Sequence, residues 1–199
     1  MNPHRWFEEL LALHPVQPDQ RSCGAAVLVL AEAWHRDAFA RWLLIGGERR
    51  FAREVLGMHR RVTGPVDVAG RVQPPWNRAV GTPPWAVARQ LTGRTGVRHR
   101  IRPLPPVRRA AGWREIRAAV RQGWPVPLYV GSTALPRHVV LVLDTVPDEA
   151  DPLVVYDPAV GRRRRLRAEE FRDGTWGAGR WPVPWFAVVP DPGRSATRR

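Results

Sequence analysis

The sequence has no lysine, one cysteine, two tyrosines and two methionines among its 199 residues. A single cysteine excludes an intramolecular disulfide and with it the disulfide-stapled secreted folds, which points to a reducing compartment. No uncharged apolar run approaches the roughly 18 residues a membrane helix needs, so no membrane span is expected. The N-terminal stretch carries Glu8 and Glu9 and no long apolar core, unlike a secretory signal, and a cytoplasmic location is the default. CxxC, HExxH and P-loop patterns are all missing, which removes the structural-zinc, metalloprotease and nucleotide readings and leaves no metal and no cofactor to expect. Because lysine is absent, all 32 basic residues are arginine, and the net charge is +14. Abundant Ala, Arg, Gly and Pro without Lys is the composition of a GC-rich coding sequence, so part of this basicity reflects mutational bias. The charge still attracts polyanions non-specifically at low salt.

What is present begins with ordinary globular proportions, 44% hydrophobic and 25% charged, in a chain long enough to bury one core. Ten tryptophans are the unusual feature, and such indole faces either fill a core or line a cleft. The chain is organised around residues 17–30, Gln-Pro-Asp-Gln-Arg-Ser-Cys-Gly-Ala-Ala-Val-Leu-Val-Leu. Ser22 is a good N-cap and no breaker follows until after Ala33, so a buried helix starting at or just after Cys23 is predicted. A lone cysteine on an apolar helix is ordinarily a small core residue. A thiol at a helix start, however, faces unpaired N–H groups and the positive end of the dipole, the setting that favours the attacking thiolate form. Gln17, six positions earlier, can aim its side-chain amide at the same point as the Cys23 N–H, which supplies the two donors an oxyanion requires.

Helical spacing over 4–13 puts Trp6, Leu10 and Leu13 on one face. Pro15 and Pro18 stiffen the loop that follows. The Cys23 helix should run to about Trp34, a second should cover 37–44 and stop at Gly46-Gly47, and 51–58 adds another turn or two. Thr82 reads as an N-cap with Pro83 at N1 of a short helix over 85–91. Residues 97–104 alternate as a strand, and 113–122 form an amphipathic helix with Trp113, Ile116 and Val120 inward, closed by Gly123. Short Val- and Leu-rich runs then predict strands at 125–130, 137–143, 153–156 and 185–189, with a further strand at 162–166 and a short helix at 168–171. The expected class is α+β: one domain over 1–190, helical to about 122 and a mostly antiparallel sheet from about 123, with 191–199 a frayed basic tail.

His138 opens the apolar run His-Val-Val-Leu-Val-Leu, so a buried strand holds it at its mouth. Asp157 ends the next run, and a hairpin across 147–152 would bring it beside His138 to take Nδ1–H and turn Nε2 toward the thiol. Asp144 also ends an apolar run, but six residues along one extended strand place it about 20 Å from His138. The Arg162 to Arg165 run reads as a solvated strand face. Trp85 and Trp124 either line the substrate cleft or pack in the core.

Five stretches together resemble a known family. They are Gln17 with Cys23-Gly24-Ala25-Ala26; Gly81-Thr-Pro-Pro-Trp85; Gln122-Gly-Trp-Pro-Val-Pro127; His138-Val-Val-Leu-Val; and Asp157-Pro-Ala-Val-Gly161 with Glu169-Glu-Phe171. The chain resembles papain-like cysteine peptidases, most closely the stand-alone form of the bacterial bacteriocin-processing peptidases that cut double-glycine leaders. The resemblance implies a papain-like fold with a helical part carrying the cysteine and a sheet part supplying histidine and aspartate. It implies Cys23 as nucleophile, His138 as general base and acid, Asp157 as the residue that orients His138, and Gln17 in the oxyanion hole. Gly24, Trp85 and Trp124 are the accompanying substrate-binding candidates, and the partner is a peptide or protein substrate. Two other readings stay open: a papain-fold module that binds a peptide or leader with little turnover, and a basic surface that binds nucleic acid or an acidic partner.

Overall fold

A computed structural model describes residues 4–146, 152–176 and 180–195. Four helices come first: α1 (Arg5–Ala12), α2 (Cys23–His35), α3 (Asp37–Thr63) and α4 (Pro84–Thr95). Strand β1 (Val97–Pro103) and helix α5 (Arg109–Arg121) follow, then β2 (Val126–Gly131), β3 (Pro136–Thr145), β4 (Leu153–Asp157), β5 (Arg162–Leu166), the short α6 (Ala168–Asp173) and β6 (Val183–Ser195). The strands form one six-stranded sheet in the order β1-β6-β2-β3-β4-β5, with every neighbouring pair antiparallel. The architecture is therefore α+β.

Helix α2 is buried along all but two of its 13 residues. Having no solvent face, it is held by α3 and α4 and by the sheet at β3. Its buried acid, Glu32, is satisfied by Arg36 at 2.6 Å and Arg94 at 3.3 Å, as a carboxylate in that position must be. The stop expected at Gly46-Gly47 is a kink: Gly47 sits at φ 58°, a left-handed value open to glycine, and α3 resumes beyond it.

The central strands are apolar on both faces because both are covered. Val139, Leu141 and Leu143 of β3 pack into the core that contains Cys23 and the residues of α1 to α4, while Val140 and Val142 pack with Trp113 and Ile116 of α5 and Phe171 of α6. A strand buried on both sides reads as a continuous apolar run, which is the pattern of 139–143.

Several details differ from expectation. The helical and sheet parts are not consecutive blocks: β1 is an edge of the sheet, and α5 and α6 cover the face opposite α2. Leu13 is 54% exposed, and α1 buries Phe7, Leu10 and Leu11 instead. Helix α4 begins at Pro84 with Pro83, not Thr82, at the cap. Strand β6 continues to Ser195, into the segment read as a tail, and pairs there with Val97; residues 196–199 lie outside the described residues. So does 147–151, the reversal expected between β3 and β4, although Val146 N–H donates to Pro152 O (3.0 Å) at its edge.

Candidate active site

The N-terminus of α2 is packed tightly against the loop before α4. Ser22 stands at the cap position but its hydroxyl makes no capping bond, so it is a cap by place only. Gly24, expected to bind substrate, has a packing role: a Cβ there would lie 2.7 Å from Thr82 Cβ, closer than carbon atoms tolerate. Thr82 is held in turn by the buried Tyr129 hydroxyl, which donates to its carbonyl at 2.8 Å. Burial, and then the charge on Cys23, push the Tyr129 phenol well above its ordinary value, so it stays a neutral donor beside the thiol. Cys23 itself is 6% exposed.

Register places the other two groups. Leu141 pairs with Tyr156 and Val142 with Val155, which sets Asp157 one step past Tyr156 on the face that His138 shares. His138 is also tied to β2, opposite Val130. The side chains meet at 2.8 Å, through His138 Nε2 and Asp157 Oδ1. This reverses the expected use of the ring: Nε2, not Nδ1, takes the carboxylate. The Cys23 side chain also acts on His138 and helps to hold the ring charged, and with Nε2 committed to Asp157, Nδ1 is the nitrogen left to face it.

Burial alone would lower the His138 pKa, but the hydrogen bond to Asp157, the Cys23 side chain and the charges on both carry it up to about 9. Burial likewise works to raise Asp157, yet His138, the Ala159 N–H at 2.9 Å and Arg164 hold its carboxyl below the usual range. The arrangement is an imidazolium flanked by the Asp157 carboxylate and the Cys23 sulfur. Asp144 is elsewhere: exposed on β3, it accepts a bond from the next backbone N–H, that of Thr145 (2.7 Å).

The Gln17 loop is bolted to the strand end that carries Asp157. Gln17 N–H donates to Pro158 O (2.8 Å), the Tyr156 hydroxyl to Pro15 O (2.7 Å), and His14 Nδ1 to Gly161 O (3.0 Å). The Gln17 side chain reaches the same cavity as His138 and Asp157. Its amide nitrogen donates to Asp19 O at 2.6 Å, so one of its two N–H groups is already in use and the other remains for an oxyanion.

Comparison with known proteins leaves this geometry to speak for itself: no family model matches the chain, and no curated protein matches it. Among the described residues there is no group of His, Cys, Asp and Glu that could hold a metal ion, and no helix long and apolar enough to cross a membrane.

A cavity of about 380 Å³ opens beside His138 and Asp157. Neither tryptophan expected there lines it. Trp85 packs edge-on against Trp76 (5.0 Å) on the α2 core, and Trp124 lies between His35 (5.0 Å) and His99 (6.0 Å) at the opposite end of β2. Trp176 and Trp181 form the wall instead. Arg164 also faces the cavity, so the arginine run is not uniformly a solvated face. Strand parity carried that signal: Arg164 shares the side of β5 that buries Leu166, and it pairs with Val155 next to Asp157. Nothing local in the sequence marked Trp181, which arrives from the far side of α6.

Proposed function

We propose that the chain is a cysteine-dependent hydrolase with a papain-like fold, acting on a peptide or amide bond as the resemblance to bacteriocin-processing peptidases implies. The observation that carries it is the His138–Asp157 pair, hydrogen-bonded at 2.8 Å, with the Cys23 side chain near enough to raise the histidine's pKa. In this mechanism Cys23 Sγ, as thiolate, attacks the carbonyl carbon, and the C=O pair moves onto oxygen. The Cys23 N–H and the free N–H of Gln17 stabilise that oxyanion. As the intermediate collapses the C–N bond breaks, and the His138 imidazolium gives its proton to the leaving amine. The neutral imidazole then takes a proton from water, whose oxygen attacks the thioester. Collapse expels Cys23 as thiolate beside a renewed imidazolium, and the products are a carboxylic acid and an amine. Asp157 keeps the ring aligned and its charge supported throughout.

The test is covalent labelling by a short peptidyl epoxide, followed by peptide mapping. Cys23 should be labelled in the parent and in no more than trace amount in His138→Ala, with iodoacetamide confirming that the thiol remains reachable in both. Equal labelling of parent and variant would sink the mechanism. The engagement of Gln17 with Asp19, together with the low exposure of Cys23, favours one second reading, a peptide-binding module without turnover. Peptide binding that survives in the parent without epoxide labelling would select it.

A further inference from the structure

The charge on the wall of the cavity beside His138 is mostly positive. Arg137 comes from β3, Arg164 from β5, and Arg180 from the approach to β6. Arg164 Nε is buried without a hydrogen-bond partner, and its nearest carboxylate oxygen, Asp157 Oδ2, is 3.9 Å away. The Arg180 guanidinium lies 5.3 Å over the Trp181 ring, a contact that holds its plane while leaving its N–H groups free. Among the described residues, Arg137 and Arg180 make no ion pair or hydrogen bond. Among the described residues Asp157 is the one acid in the wall, and its Oδ1 already accepts from His138 and Ala159. Two unpaired guanidinium groups and a third, Arg164, held only loosely by Asp157 therefore line a space whose one acid among the described residues is occupied, and guanidinium groups so placed are built to take a planar carboxylate. A volume of about 380 Å³ is that of a small-ligand site, within the roughly 300–1,000 Å³ such sites span.

We infer that this cavity receives the leaving fragment of the substrate and grips it by a carboxylate. The choice of fragment rests on the hydrolase reading above. His138 must stand next to the departing amine to protonate it, and the cavity lies on the His138 side while Cys23 is not part of its wall. The acyl fragment, bonded to Cys23, lies elsewhere. The favoured scissile bond thus has an anionic residue just after it, either an acidic side chain or the terminal carboxylate of a short leaving peptide.

Calorimetric titration with leaving-fragment products tests this without any turnover. The probes are the dipeptide Ala-Glu, its C-terminal amide, Ala-Gln with a free C-terminus, and Ala-Gln amide. Ala-Glu should bind at least about tenfold more tightly than the neutral Ala-Gln amide. Arg180→Gln and Arg137→Gln should each erase much of that preference, while Arg49→Gln, which removes the same charge from the exposed surface of α3, should preserve it. Retained affinity in one singly charged probe identifies the side-chain or the terminal carboxylate as the source. Equal binding of Ala-Glu and Ala-Gln amide, or equal loss from Arg49→Gln and Arg180→Gln, would overturn the inference. Arginine-dependent dipeptide binding without epoxide labelling of Cys23 would instead overturn the hydrolase reading and leave a carboxylate-binding site. Labelling without arginine dependence would remove only the carboxylate site.

Discussion

At the residue scale, His138 is under two opposing influences: burial acts to discharge it, and Asp157 and Cys23 keep it charged. Its folded pKa of about 9 lies above the 6.5 of a free imidazole, so the stabilisation it brings is complete below about pH 6.5 and is lost as pH rises through 9. Turnover should fall on the same alkaline limb, because the neutral ring has no proton for the leaving amine. A pH–rate profile and denaturant midpoints between pH 6 and 10 check both, and in His138→Gln the stability loss across that window should disappear. Asp157 sets the height of that limb. Asp157→Ala should reduce kcat/KM by on the order of 10²-fold or more, since it removes the partner of Nε2 and frees the ring to turn. Asp157→Asn should cost less, because an amide oxygen still accepts from Nε2–H, but without the charge its alkaline limb should move to lower pH. Asp144→Ala should match the parent. Activity lost in Asp144→Ala and kept in Asp157→Ala would mean that the histidine works with a different acid.

Elements rather than single residues place the Gln17 loop. Residues 14–17 are tied to the end of β4 and to the β4–β5 connection through the His14, Pro15 and Gln17 bonds, which fixes the Gln17 loop to the strand end that carries Asp157. Gly161 is the joint. Its φ of 65° is left-handed, and a Cβ there would overlap the His14 carbonyl, leaving no room for a side chain in either respect. Gly161→Ala should therefore destabilise the fold by about 1–3 kcal/mol and depress turnover in those molecules that remain folded. Denaturant titration gives the first quantity, and kcat/KM measured well below the unfolding midpoint gives the second. Unchanged stability would show that the loop and the turn are not pressed together. The contact was invisible in the sequence because it joins segments 147 residues apart with no shared pattern.

For the whole molecule, the sheet lies between two apolar layers, and β3 and β4 contribute side chains to both. Neither layer can be exposed without uncovering the other face of the same strands. Heat or denaturant should consequently produce one transition, with the fluorescence of the ten tryptophans and the backbone circular dichroism coinciding. Two separated transitions would mean that α1 to α4 come away from the sheet independently.

Local periodicity was enough to find nearly every element. Apolar residues at helical spacing, alternation of period two, and the Gly and Pro punctuation all act over a few neighbouring residues, so they can be read without knowing what those residues touch. The helix start at Cys23 and the strand positions of His138 and Asp157 belong to that class, which is why the candidate triad was legible. Tertiary structure alone decided which imidazole nitrogen meets Asp157, that Gly24 packs against Thr82, and that Trp181 rather than Trp85 or Trp124 faces the cavity. Each depends on the distance and direction between segments remote in sequence. Those are set by how two layers close on one sheet, and no short-range pattern records that closure.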